Sequence, residues 1–524
     1  MRALRSAWLA VLTGALIAAA GAPLEMSFLA LLAPAALLLA LEPRPGEPVP
    51  ARRALWIGLL AGTSTNLLTM YWIVGLLMRF GHFPLAAALP VGALLWMGQS
   101  GTWVVGSLIA VELMRRRMPG WLALPACLTV AATLAPALFP WRYGVSQLPF
   151  LPYAQVAELG GLPLLDWLVA TVGCAGLDAV RRRRGGPAVA AGLALLLPTA
   201  WGLVRLPQVR AARAAAPALA VGVTQPNVSI EDKHDPQRFL PQLRLLREMT
   251  RALEARGAEL VLWPESAYRY PLHRDARRDH DGALGAVADG VHGPLLVGVL
   301  TTDGARATSF ARDEHGRLAG SFRYGRGRRF NSAVALGRDG RVLGIADKVQ
   351  LLAFGEYTPL WEQLEWLQRF PRGLTPGRGP QVVRVAGARV GVLNCYEDLL
   401  AGHVLAQSAG RPDFWANLTN NAWFGDTSAP HLHHMNARMR AIETRRDVVR
   451  AVNTGVSGHT AATGEDLART GTFERAAFVA DVRLLDGATP WARLGDWVTP
   501  LIAGAMMGFV VARRRRRGER ARGR

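Results

Sequence analysis

Val390-Gly391-Val392-Leu393-Asn394-Cys395-Tyr396-Glu397-Asp398 is the stretch on which the fold of this chain turns. A short apolar run gives way at once to a polar cluster holding a thiol and two acids. Strands that end in polar groups are typical of α/β domains, which keep their chemistry beyond the strand ends. Further strand-like runs lie at 218–223, 260–263, 295–300, 332–336 and 414–418, with helix-like stretches at 236–256, 398–409 and 431–447 between several of them. Arg338-Asp339-Gly340-Arg341 separates two apolar runs as a hairpin turn would. The region 218–493 therefore reads as one α/β domain.

Outward from that domain the chain becomes apolar. Of its 524 residues 51% are hydrophobic, and the mean hydropathy is positive. Runs at 6–22, 26–42, 54–78, 83–113, 120–139, 159–181 and 187–205 precede the domain, and one at 494–512 follows it. Each approaches the roughly 20 residues that a membrane crossing needs. The expected organisation is a seven-helix transmembrane bundle over 1–205, a linker at 206–217, the α/β domain, an eighth span and an unstructured basic tail at 513–524. The first run has the basic start and small-residue end of a signal peptide. A second apolar run follows within a few residues, which favours a retained helix. No internal repeat is visible.

The net charge of +21 could suggest nucleic acid, but its placement argues otherwise. Arg2 and Arg5, Arg52 and Arg53, Arg115 to Arg117, Arg181 to Arg184 and Arg513 to Arg517 all flank apolar runs. Such clusters orient a membrane protein and do not form a nucleic-acid face. With the N-terminus in the cytoplasm, counting crossings brings all five clusters to the cytoplasmic side. The opposite connections carry only Arg79 and Arg142, so the α/β domain is expected outside the cytoplasm.

Cys127 and Cys174 lie in apolar runs and Cys395 stands alone, which offers neither a disulfide framework nor a zinc spacing. Of 60 basic residues only Lys233 and Lys348 are lysines. Lys233, in Glu-Asp-Lys-His-Asp, reads as solvated surface. Lys348 has apolar neighbours on both sides, where a compact ammonium of tunable pKa does what guanidinium cannot.

Three residues could carry chemistry. Cys395 is either a thiolate nucleophile or a buried structural cysteine. Glu265 follows the run Val261-Leu262-Trp263-Pro264 and is either a general base or a loop acid. Lys348 could stabilise a thiolate and a developing oxyanion, or pair with Asp347. Each ends a strand-like run of the same domain, and together they form a coherent acyl-transfer set. There is no G-x-S-x-G elbow to support a serine triad. His431, His433 and His434 form the only histidine cluster, lack a matching acidic pattern and read as helix-surface residues.

Trp263-Pro264-Glu265, Phe330-Asn331-Ser332, Lys348 with Phe354-Gly355-Glu356-Tyr357-Thr358-Pro359, Asn394-Cys395-Tyr396-Glu397 and Thr419 to Gly425 together resemble the nitrilase superfamily, and more narrowly its membrane branch, the apolipoprotein N-acyltransferases. The resemblance covers nearly the whole chain. It implies a polytopic helical bundle plus an extracytoplasmic αββα sandwich, in the bacterial inner membrane. Glu265 would be the base, Lys348 the oxyanion-stabilising cation and Cys395 the nucleophile. Glu356, Asn331, Tyr396 and Glu397 would support them, and Trp423 and Phe424 would line the mouth. The family's usual proline before Phe-Gly-Glu is Ala353 here.

What the resemblance implies is a ping-pong transfer. Cys395 takes an acyl chain from a phospholipid, and the free amine of S-diacylglyceryl-cysteine on an apolipoprotein then accepts it. No cofactor or metal is implied, and a monomer suffices. Two rivals share these residues: a membrane-tethered amidohydrolase with water as acceptor, and a catalytically silent lipid-binding scaffold. Asp166, near one end of an apolar run, reads as interfacial although intramembrane acids are commonly functional.

Overall fold

The computed structural model describes every residue except 1, 305, 313–317, 325–326, 366–372 and 523–524. The chain forms two compact units. One comprises Met1–Arg210, Thr427–Thr444 and Ala488–Arg524, and the other Ala211–Asp426 and Arg445–Gly487.

The first unit is helical. Leu85–Arg115, Ala157–Arg182 and Gly185–Ala215 are each long and apolar enough to cross a membrane. Ala51–Thr69 and Trp72–Arg79 would make a fourth span if taken together, although they are bent by 61°. Leu4–Ala20, Leu29–Leu41 and Gly120–Leu134 are shorter apolar helices. The bend frees main-chain carbonyls, and two indoles satisfy them. Trp72 Nε1 donates to the Thr69 carbonyl at 3.1 Å and Trp96 Nε1 to that of Met70 at 3.1 Å. Polar main chain at a break in an apolar bundle needs such partners.

A second break lies inside Ala157–Arg182, where Gly160 and Gly161 leave helical geometry and Gly161 has φ +66°. A Cβ on Gly161 would fall 2.4 Å from Trp491 Nε1. The half-helix that restarts at Leu162 is capped by Glu443, whose carboxylate accepts the Leu162 N–H at 2.9 Å. Asp166 is fully buried. It accepts from Arg142 Nη1 at 2.8 Å and from the Gly144 N–H at 2.7 Å. It thus pins the 142–144 connection to the helix.

Three features differ from the sequence-based expectation. The 206–217 stretch is helical over most of its length: the helix begun at Gly185 continues to Ala215, because its alanines and arginines are strong helix formers. The final helix spans Val498–Arg522 and carries most of the basic tail, again an arginine run that helix propensity supports. It starts at Val498, not 494, because Gly495 turns at φ +67° and Asp496 caps Thr499 N at 3.0 Å. Helix Ser428–Thr444 groups with the first unit, and His433 and His434 are buried in it, so they are not surface residues.

Among the described residues the second unit holds two six-stranded sheets and a two-stranded one. The strands are β1 (Ala218–Gln225), β2 (Leu260–His273), β3 (Leu295–Thr302), β4 (Arg306–Arg312), β5 (Leu318–Tyr324), β6 (Arg329–Leu336), β7 (Val342–Asp347), β8 (Val382–Val385), β9 (Ala388–Asn394), β10 (Phe414–Thr419), β11 (Val448–Val452), β12 (Gly458–Thr460), β13 (Asp466–Arg469) and β14 (Ala476–Arg483). One large sheet runs β14-β1-β2-β3-β6-β7, the other β13-β12-β11-β10-β9-β8, and β4 pairs with β5. The hairpin read at 338–341 joins β6 to β7, with Gly337 N donating to the Arg341 carbonyl at 2.8 Å.

Valines and leucines of β1, β2 and β9 to β11 form one apolar core between the large sheets. The outer face of the first sheet packs on helix Phe239–Glu254 through Leu243, Leu246, Leu253, Trp263 and Val297. Helix Ala401–Ser408 lies beside β9, where Gln407 Nε2 donates to the Val392 carbonyl at 2.6 Å. Helix, two sheets and helix make an α–β–β–α sandwich. Burial on both faces explains why the central strands read as continuous apolar runs and not as alternating ones.

Candidate active site

Glu265 sits where β2 leaves its ladder. Pairing of β2 with β3 is interrupted between Trp263 and Tyr268, and Ser266 takes φ +50°. Gly298 of β3 makes room for this bulge, since a Cβ there would lie 2.2 Å from the Pro264 carbonyl oxygen. The bulge turns the Glu265 side chain inward, where it is 6% exposed. A bulge beside reacting groups is a recurrent way to re-aim a side chain.

Lys348 is the first residue after β7 and is 2% exposed. Its Nζ lies 2.8 Å from Glu356 Oε2 and 3.3 Å from Glu265 Oε1. Asn331, on β6, ties the same two acids: Nδ2 donates to Glu265 Oε1 at 2.7 Å and to Glu356 Oε1 at 3.0 Å. The second Glu265 oxygen accepts the Asn420 N–H at 3.1 Å, and Glu356 also accepts the Leu352 N–H at 2.9 Å. Two carboxylates, one amide and one ammonium therefore form a closed array, buried except at Glu356, which is partly exposed. Buried charge is tolerated where it is paired and hydrogen-bonded in this way.

Cys395 follows β9 directly, in the 3-10 turn Cys395–Leu399, with φ +53° and part of its surface open. The turn is held from two sides. Asn417 Nδ2 donates to the Leu393 and Cys395 carbonyls at 3.0 and 2.9 Å. Glu397 accepts Asn394 N at 2.8 Å, Val349 N at 2.7 Å and Gln350 N at 2.9 Å. One carboxylate thus staples the turn carrying Cys395 to the main chain just past Lys348. Tyr396 donates from its hydroxyl to the Leu351 carbonyl at 3.2 Å, with Lys348 Nζ 5.6 Å from its ring centre.

These surroundings set the proton affinities. Burial pushes the Glu265 carboxyl up, but Lys348, Lys233 and the Asn331 amide outweigh it and hold its pKa below the ordinary value. Burial lowers the Lys348 ammonium, yet Glu265, Glu356 and Cys395 raise it well above its usual range. Burial and the Glu265 charge push the Cys395 thiol up, against the pull of Lys348. Under these conditions the thiol, the Glu265 carboxylate and the Lys348 ammonium coexist. A base ready to take the thiol proton stands beside a fixed cation.

Trp423 and Phe424 lie on the turn that follows β10, with Trp423 36% exposed and its ring centre 6.3 Å from that of His234. Sequence reasoning missed one group: Lys233 is not solvated surface but 6% exposed, with Nζ 2.9 Å from the Glu265 carbonyl oxygen. Its acidic neighbours Glu231 and Asp232 hid it. Among the described residues no group of three His, Cys, Asp or Glu side chains could hold a metal ion.

Residues 220–489 match the carbon-nitrogen hydrolase family model, and residues 13–175 match that of the apolipoprotein N-acyltransferase N-terminal domain. A relative from Azotobacter vinelandii named apolipoprotein N-acyltransferase is 31% identical over 97% of this chain and 95% of its own. The chain belongs to the apolipoprotein N-acyltransferase family. Relatives of the same name from Pseudomonas aeruginosa and Geobacter metallireducens are each 28% identical, covering 98% and 97% of this chain and 97% and 95% of their own. Among solved structures, an amidase from Nesterenkonia sp. is 18% identical over 51% of this chain and 90% of its own, at a TM-score of 0.35. The two family models between them match both parts of this chain, the apolar N-terminal part and the hydrolase-like domain.

Proposed function

We propose that this chain moves an acyl chain from a membrane phospholipid to the N-terminal amine of S-diacylglyceryl-cysteine in an apolipoprotein. The observation that carries this reading is the Glu265–Lys348–Glu356 array beside Cys395, within a chain whose residues 13–175 match the acyltransferase family's N-terminal domain.

Glu265 takes the thiol proton as the Cys395 sulfur attacks the ester carbonyl. Lys348 balances the oxyanion, and the lysophospholipid alkoxide leaves with the proton that Glu265 returns. The thioester carbonyl is then attacked by the α-amine, which gives its proton to Glu265 while the Cys395 thiolate departs. Glu356 and Asn331 hold Lys348 and Glu265 in register, Glu397 and Tyr396 hold the Cys395 turn, and Trp423 and Phe424 line the entrance for acyl chains.

The substrates are bilayer lipids, so we read the apolar runs as eight crossings of a bacterial inner membrane. That reading takes 1–205 as the bundle, 218–493 as a catalytic domain on the periplasmic face, and a monomer as the working unit. The arginine clusters beside the apolar runs support this sidedness. Cysteine accessibility tests it: a single cysteine placed at the exposed Arg338 reacts with a membrane-impermeant maleimide in spheroplasts, and one at Arg116 reacts only after lysis.

Product analysis separates transfer from its rival. Incubated with phospholipid and a diacylated lipopeptide bearing a free amine, the purified chain yields N-acyl peptide. Free fatty acid alone would identify an amidohydrolase-like enzyme instead.

A further inference from the structure

Lys233 lies on the short helix Ile230–His234, among three acids and one histidine, yet its side chain turns inward. Gln242 and Asn453 line the small space around it. Its ammonium donates to the main-chain carbonyl of Glu265, the residue at the head of the β2 bulge. The groups that act on it are Arg269 from β2, which opposes its charge, and Glu265 and Cys395, which favour it. On its own helix Glu231, Asp232 and His234 are exposed. The array around Cys395 sets two carboxylates, Glu265 and Glu356, against one buried ammonium, Lys348. A site of that composition carries an excess negative charge, which opposes formation of a thiolate or an oxyanion.

We infer that Lys233 is a positioning residue for the acylation step, which fixes the Glu265 bulge through its carbonyl and supplies the second buried cation that balances the two carboxylates. The inference rests on Cys395 being the nucleophile and Glu265 its base. The ammonium is the working form. Burial first, and then Arg269, bring the pKa of Lys233 down to about 7, so this support fades as pH rises through neutrality.

Alkylation of Cys395 by iodoacetamide reads this directly, without any assumption about the acyl donor. The full chain in detergent is labelled between pH 5.5 and 9, and modification of Cys395 is quantified by peptide mass spectrometry. Lys233→Met is expected to label about tenfold more slowly than wild type at pH 6, the order that one nearby buried charge supplies. The gap should close above pH 8, where wild-type Lys233 is itself neutral. Lys233→Arg, charged throughout, should restore most of the rate at pH 6 and exceed wild type at high pH. A constant ratio between Lys233→Met and wild type across the whole range would overturn the inference, since a purely structural lysine behaves that way.

If neither variant folds, the wild type itself decides. With only two lysines in the chain, ¹³Cε-lysine labelling yields two resonances, and one of them must titrate between pH 6 and 8. Two flat resonances across that window would overturn the inference equally. A Glu265→Gln control separates the premises: if Cys395 of that variant is acylated by phospholipid as fast as in wild type, the assignment of the base fails, whatever Lys233 does.

Discussion

Glu265 and Lys348 approach to 3.3 Å in a site where both are buried, and neither forms a simple pair, because Glu356 holds the lysine more closely at 2.8 Å. Lys348 is thus anchored by one acid and shared with the other. The anchored acid fixes the cation, which leaves Glu265 able to gain and lose a proton without releasing it.

Removing the base should therefore cost rate without dismantling the site. Glu265→Gln keeps an oxygen for the Asn331 amide and is expected to slow acylation of Cys395 by about 10²–10⁴-fold. Lys348→Met removes the cation nearest both carboxylates and should slow it by about 10²–10³-fold. Single-turnover lysophospholipid release measures both.

The pH dependence has a definite sign. The Glu265 pKa is depressed, so its ionised state is present above the ordinary glutamate value and lost only as pH falls through the lower folded value. The acid limb of thioester formation should accordingly lie below pH ~4.3. Lys348 is raised, so its charge survives past the ordinary lysine value and contributes no limb near neutrality. An acid limb near pH 6 in thioester formation, with the chain still folded, would contradict this electrostatic account.

Glu397 should prove a stability residue as well as a supporting one. Glu397→Ala strands three main-chain N–H groups, at Val349, Gln350 and Asn394. A loss of about 3 kcal/mol or more is expected, because each buried donor left unpaired costs roughly 1–3 kcal/mol. Thermal unfolding in detergent, read alongside Cys395 labelling, would show both effects together.

Ala353→Pro tests the one departure from the family motif. The bridge between Ala353 and Tyr357 runs through the Phe354 N–H, which donates to the Tyr357 carbonyl at 2.9 Å, and does not use the Ala353 N–H. The variant should remain active and gain about 0.4–1 kcal/mol, chiefly by restricting the unfolded chain. Equilibrium unfolding of the two proteins side by side measures the difference.

Much of this was legible in the sequence because the decisive residues stand at ends of apolar runs. The runs that lead to Glu265, Lys348 and Cys395 lie in β2, β7 and β9, and those of β2 and β9 are buried enough there to be nearly continuous. Lys233 was not legible: Glu231 and Asp232 beside it mark a solvated turn, and only tertiary packing turns one side chain of a five-residue helix inward. His433 and His434 misled in the same way, since polar identity outweighed a burial that depends on neighbours distant in sequence. The 61° bend after Thr69 and the break at Gly160–Gly161 left little local signal, because their freed carbonyls and N–H groups find partners at Trp96 and Glu443 far along the chain. At 206–217 helix propensity carries the chain as helix to Ala215.

The intact mass of the purified chain after incubation with phospholipid tests the central claim most directly, with Cys395→Ala and Cys395→Ser alongside. The account predicts one acyl-sized increment on the wild type, removed by neutral hydroxylamine, mapped to Cys395 and absent from Cys395→Ala. An unmodified wild type under conditions where lipid is bound, or an increment that persists in Cys395→Ala, would contradict it.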